Sequence, residues 1–271
     1  MSRTIASPSR LGAGAGSLMS LALACFTFVT ADAAQAATTG GLLLRATGTT
    51  GAVVTGAGQF AVGGDTKVNI TVARLSGGNT TIVAGPDSAL PRAVKFPAYV
   101  SSGTYPRAVV SLTPASGAAL SPGSSNFVYG AVFRLDAKSS GRTVDNGDNL
   151  FQRGLYSNSS QLKLQVDSGY PSCLVKGSSG QVYVKSSTKV TADRWYRTTC
   201  SRVGSRLTVQ VAPYGGTATS KSVSGSAGTL TFASTVRASI GGKLTSTGAV
   251  ASSATDQFNG AVASAWIERV Y

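Results

Sequence analysis

From about residue 67 the chain alternates apolar and polar residues in short runs, and no helical period is sustained over ten residues. Successive side chains of a strand point to opposite faces. A run such as Leu162-Lys163-Leu164-Gln165-Val166 therefore gathers three apolar groups on one side and two polar groups on the other. Leu207, Val209 and Val211 share a face in the same way, as do Val68, Ile70 and Val72. Similar runs recur at 93–96, 108–112, 127–135, 182–184, 195–200, 229–232 and 261–267, each bounded by Gly, Pro, Asn, Asp or Ser. Many short strands at this spacing predict an all-β fold, an antiparallel β-sandwich or jelly roll. On the 195–200 run Trp195, Arg197 and Thr199 oppose Tyr196, Thr198 and Cys200, and Trp195 is assigned to the core.

The first residues read differently. Arg3 and Arg10 precede an apolar run at 18–29, which is followed by small residues ending in Ala34-Gln35-Ala36. This is the three-part pattern of a secretory signal peptide over 1–36, and the run is shorter than the roughly 20 residues that span a bilayer. The expected product is secreted, with no transmembrane span after cleavage. Residues 37–65, rich in Gly, Ala, Thr and Val, carry too few large apolar groups to close a core. They are read as an N-terminal extension, with an edge strand as the alternative, and 66–271 as a single sandwich domain.

Of three cysteines, Cys25 lies in the leader, which leaves Cys173 and Cys200. Two thiols in an oxidising compartment pair, so a disulfide is expected between them, worth roughly 3 kcal/mol in the chain-entropy description. The chain carries 24 Lys and Arg against 10 Asp and Glu, a formal charge of +14, and loses only one net positive charge with the leader. No two basic residues are adjacent, so the charge favours anionic surfaces or glycans over a specific nucleic-acid contact. Arg142, Arg153, Lys163, Lys176, Lys185 and Arg197 make either a basic face for a polyanion or scattered solvated charge.

Reactive groups are few. There is no histidine, which removes histidine triads, bases and metal ligands. Glycoside hydrolysis needs two facing carboxylates. Glu268 is the only glutamate, and Asp145 and Asp148 stand three apart around Asn146-Gly147, a spacing that does not put both on one strand face. Their oxygen-rich stretch, joined by Asp136, is a candidate calcium site, but it lacks the EF-hand spacing and also reads as a tight turn. Tyr156, Tyr170 and Tyr214 lie in loop-like settings and are candidate platforms for sugar rings or, alternatively, packing residues. A binding role without catalysis follows.

Several of these segments resemble the laminin G-like modules of secreted bacterial proteins. They are Phe133-Arg134-Leu135-Asp136, the stretch from Asp145 to Gly154, Leu162 to Val166 and Pro171-Ser172-Cys173. They continue with Arg194-Trp195-Tyr196-Arg197, Cys200-Ser201-Arg202, the 207–211 run and Asp256-Gln257-Phe258-Asn259-Gly260. Trp195-Tyr196 and the late Phe258-Asn259-Gly260 fit the family pattern, while Thr198 stands where an aliphatic residue is commoner, and the likeness covers about residues 93–271. The resemblance implies a concanavalin A-like jelly roll whose relatives bind glycans, proteins or sulfated polymers, often with calcium at the rim, and some of which are glycosidases. Fold likeness does not choose among these. The leading expectation is a glycan-binding module, and the alternative is an adhesion or scaffold protein holding a protein or an envelope polyanion.

Overall fold

The structure, a computed structural model, describes residues 41–139, 147–252 and 255–270. The expected leader, Arg142 and Asp145 lie outside these residues. The strands begin with β1 (Leu42–Ala46), β2 (Phe60–Gly63), β3 (Val68–Leu75), β4 (Thr81–Ala84), β5 (Arg92–Lys95) and β6 (Arg107–Pro114). They continue with β7 (Asn126–Leu135), β8 (Asp148–Arg153), β9 (Gln161–Asp167), β10 (Tyr170–Gly177) and β11 (Gly180–Lys185). The last are β12 (Trp195–Val203), β13 (Arg206–Pro213), β14 (Thr219–Ser224), β15 (Ala238–Ile240) and β16 (Gly260–Val270).

They form two antiparallel sheets packed as a sandwich. One has nine strands in the order β14-β13-β12-β7-β16-β1-β2, with β5 beside the start of β16 and β4 beside β5. The other has seven, β11-β10-β9-β8-β15-β6-β3. The alternation of the sequence is what makes this possible. Leu162, Leu164 and Val166 are buried while Lys163 and Gln165 stay partly exposed, and Leu207, Val209 and Val211 enter the same core from the facing sheet. Each fully buried side chain of this kind contributes about 1.5–3 kcal/mol. Phe127, Tyr129 and Phe133 of β7 lie at the centre of that core.

Two links tie the layers together. Tyr129 sends its hydroxyl across the sandwich, donating to the Leu174 carbonyl of β10 at 3.0 Å, and burial pushes its ionisation well above the ordinary tyrosine value. The expected disulfide joins Cys173 on β10 to Cys200 on β12, one from each sheet, with Cα atoms 5.7 Å apart.

Several expectations are corrected. The described part of the presumed extension belongs to the sandwich: β2 is an edge strand of the nine-stranded sheet, as the alternative reading had it, and β1 lies inside that sheet, between β16 and β2, with Leu42, Leu44 and Ala46 buried. Small residues around it were no obstacle, because its few leucines fill a core that other strands provide. Residues 229–232 form only an isolated bridge, Leu230 to Gly123, although Leu230 and Phe232 are buried. Trp195 lies half-buried on the outer side of its sheet, with Arg134 5.4 Å from the ring centre, and Tyr196 takes the inward place.

The cross-sheet disulfide closes a loop between positions 27 apart. Replacing both cysteines by alanine is expected to lower stability by about 3 kcal/mol, or Tm by about 6–12 °C in scanning calorimetry. An unchanged Tm would show that packing alone holds the two layers.

Candidate functional site

The outer face of the seven-stranded sheet carries the best-formed concavity in the described residues. Its floor is Gln152 on β8 and Ser239 on β15, which are register partners, and both are buried. Gln152 is held from both ends of its amide: Oε1 accepts from Asn149 Nδ2 at 2.9 Å and Nε2 donates to the Gly154 carbonyl at 2.7 Å. Each end of an amide makes two hydrogen bonds, so one donor and one acceptor remain for a ligand.

One wall is a hairpin at 244–250. Leu244 and Val250 bridge each other and pack with Val109 against Ala73 and Leu75, which lays the hairpin over the outer side of β6 and β3. Its tip is closed by Thr245, whose N–H donates to Ala249 O at 2.8 Å and whose hydroxyl accepts from Ala249 N at 3.1 Å. Gly248 has φ +86°, and a Cβ there would run into the guanidinium of Arg237. Only glycine suits both constraints.

The opposite wall is the β8–β9 turn, where Asn158 Oδ1 accepts from Leu155 N at 2.7 Å and leaves its amide NH2 toward the cavity. At the end of the groove Arg237 donates through Nε to Thr113 Oγ1 at 3.2 Å. Its terminal nitrogens carry no hydrogen bond among the described residues. The cavity is about 160 Å³, and past Arg237 it opens into a second hollow of about 420 Å³ that shares Thr235, Arg237 and Ser246 with it. Tyr156, next to Leu155, is 81% exposed, with Lys176 Nζ 5.1 Å from its ring centre and donating to its carbonyl at 2.7 Å. Amide and hydroxyl groups that hydrogen-bond a polyhydroxylated molecule thus line the trough, and the lining residues include neither Tyr156 nor a carboxylate to serve as an acid or a base.

The residues singled out in the sequence are scattered by the fold. Tyr156 and Tyr170 lie at opposite ends of β9, and Tyr214 packs on the other sheet. Tyr170 has Lys185 5.3 Å from its ring centre. Arg153 is not a surface group. It is fully buried, donates to the carbonyls of Val236 (3.1 Å) and Ala119, and lies 4.5 Å from the Phe232 ring centre. Burial pushes its pKa down to about 10, which still leaves it charged at neutral pH. Lys163 pairs with Asp256 at 2.9 Å and Lys185 with Asp167 at 3.3 Å, while Arg197 faces outward from the other sheet. The five described basic residues of the six therefore do not form one face.

The calcium reading is not supported by the side chains that are described. Asp136 is paired with Lys95, and Asp148 is buried with Oδ1 accepting from Asn259 N at 3.0 Å. No group of three or more Asp, Glu, Cys or His gathers among the described residues. Asp148 instead helps anchor the 255–259 segment. There Gln257 binds the backbone of Ala108 in both directions (2.9 and 3.2 Å), and Asn259 Nδ2 donates to Pro97 O at 2.8 Å. Reading the sequence missed Gln152, Asn158, Ser239 and Arg237. Isolated polar residues of this kind carry no local signal, since only the sheet register and the hairpin bring them together.

No family model matches the sequence, and neither does any curated protein. Among solved structures the chain is similar to the binding domain of botulinum neurotoxin DC, solved in complex with rat synaptotagmin II. The TM-score is 0.54 at 11% identity over 86% of this chain and 49% of that one. The chain thus spans about half the length of that domain. Domain 4 of an extracellular arabinanase from Geobacillus stearothermophilus, in complex with arabinotriose, matches with a TM-score of 0.49 at 14% identity, over 74% of this chain and 82% of that domain. At 11% identity the likeness to the neurotoxin domain is one of fold, an all-β sandwich.

Arg153 donates to the carbonyls of Ala119 and of Val236, a residue that lines the cavity. Arg153→Met is expected to cost about 2–4 kcal/mol in urea denaturation by leaving those acceptors unsatisfied. A loss under about 0.5 kcal/mol, the range of an ordinary surface change, would overturn the structural role.

Proposed function

We propose that this chain is a secreted, non-catalytic carbohydrate-binding domain of laminin G-like type that holds a saccharide in the trough on the outer face of the seven-stranded sheet. The observation that carries the reading is the set of hydrogen-bonding groups converging there with capacity to spare. Gln152 and Asn158 present amides, the Ser239 hydroxyl, which donates to the Gln152 carbonyl at 3.5 Å, keeps its oxygen as an acceptor, and Arg237, fixed through Nε by Thr113, presents two terminal nitrogens. Sugar hydroxyls both donate and accept, and a site of fixed amides and a guanidinium satisfies them without a net charge on the ligand. The basic charge and the Cys173–Cys200 bridge suit an extracellular setting.

A glycan array followed by isothermal titration calorimetry tests this. Saturable binding of an oligosaccharide is expected, with Asn158→Ala and Arg237→Ala each weakening it about tenfold, the loss of one good polar contact. Gly248→Ala is expected to weaken it as well, since the added methyl displaces Arg237. Bound polysaccharide should show no release of reducing ends. The reading fails if no neutral or acidic glycan binds, if these substitutions leave affinity unchanged, or if a protein partner is captured that sugar does not displace.

A further inference from the structure

The outer face of the nine-stranded sheet carries a different chemistry. Across four adjacent strands the register sets Arg197 (β12), Val132 (β7), Ser264 (β16) and Arg45 (β1) in one row. At about 4.8 Å per strand the two arginines stand roughly 14 Å apart at the backbone. Their long side chains reach inward from either end, and both line a depression of about 40 Å³ over Val132 and Ser264, beside Tyr214 and Trp266.

The neighbouring row explains how Arg197 is held. Trp266 lies opposite Gly130, and a Cβ at that glycine would collide with the indole, so the ring rests on the bare backbone of β7. The indole is buried there, and the Arg197 guanidinium lies 4.7 Å from its centre. A cation over an indole face is attracted by about 0.5–2 kcal/mol, enough to bias an exposed side chain toward one place. Arg45 has no hydrogen-bond or ion-pair partner among the described residues, and its Nε is covered without an acceptor. Its remaining donors are the terminal nitrogens. Glu268, two residues beyond Trp266 and opposite Val128, is the acid on this face of β16.

We propose that this depression is a second binding site, which takes one oxyanion of an acidic polysaccharide, a uronate carboxylate or a sulfate ester. Two guanidinium groups at opposite ends of a small hollow match the flat or tetrahedral oxygens of such a group, and the Ser264 hydroxyl lines the floor between them. A hollow of about 40 Å³ admits those few atoms but not the bulky apolar anchor around which a protein interface is built. The site shares no residue with the trough in the other sheet and stands without it.

The test titrates the full chain with polygalacturonate, dextran sulfate, neutral dextran and poly-glutamate by calorimetry at low and high salt. Binding of polygalacturonate or dextran sulfate is expected, the stronger of the two identifying the oxyanion, with none to neutral dextran at this site. Arg45→Gln with Arg197→Gln should weaken it at least about tenfold, the tenfold step corresponding to loss of one charge-assisted contact. Arg206→Gln with Lys221→Gln, equal in charge and on exposed positions of β13 and β14, should change it less than about threefold, the scale of a rim charge. Arg45→Lys with Arg197→Lys keeps the charge and the fold but loses the planar fork, and should weaken binding too. The proposal is overturned if the lysine variant or the control pair behaves like the reverse of these expectations, if neither polyanion binds, or if poly-glutamate binds as tightly with the same dependence on Arg45 and Arg197.

Discussion

Every strand in this protein points its side chains alternately to two faces, and a sandwich has room for only one of those faces inside. The inner set, from Phe127 and Tyr129 to Leu162, Leu164 and Val209, fuses into one apolar cluster across the two sheets. That burial fixes the register of each strand, because a slip of one residue would send Lys163 and Gln165 inward and the leucines out. Register in turn decides which polar residues become neighbours on the outer faces. Gln152 meets Ser239, and Arg197 falls in line with Ser264 and Arg45, as consequences of packing that happens on the other side of the same strands.

The charges and amides fall into two populations. Some are spent inside. Arg153, Asp148, Gln257 and Asn259 satisfy backbone groups at places where the ladders are interrupted, and a buried polar group without such a partner would cost several kcal/mol. These are the polar residues of the motif-like stretches, and their work is to close the sandwich. Others stand on the outer faces, some in ion pairs such as Lys163–Asp256 and Lys185–Asp167, and some lining the trough and the depression. Trough and depression differ because one is lined chiefly by amides and hydroxyls and the other is flanked by two guanidinium groups.

The stretch at 145–154 shows where sequence reading and structure part. Asp145 to Asn149 suggested a turn or an ion-binding loop; Asp145 and Asn146 lie outside the described residues, and Asp148 and Asn149 open a strand, Asp148–Arg153, with all six residues buried. It lacks visible alternation because both of its faces are covered. Leu150 and Phe151 enter the core, and Asn149 and Gln152 bond to each other and to nearby carbonyls. Trp195 was misplaced for a related reason: an indole on an alternating strand looks like core, but Tyr196 occupies that side and the tryptophan serves as a support for Arg134. The short β1 escaped because its leucines are too few to signal a core that lies in other parts of the chain.

The sequence by itself determined the class of fold, most of the long strands and the pairing of Cys173 with Cys200, because period-two alternation and cysteine arithmetic are local or countable properties. It also determined how little acid–base chemistry the chain can supply, with no histidine and a single glutamate. Only the tertiary structure decided which polar residues face one another. Gln152, Asn158, Ser239 and Arg237 come from strands and loops up to 87 positions apart, and the row from Arg197 to Arg45 depends on β1 inserting beside β16. Such neighbours are set by long-range strand order, a property of the packed core as a whole that no local pattern encodes.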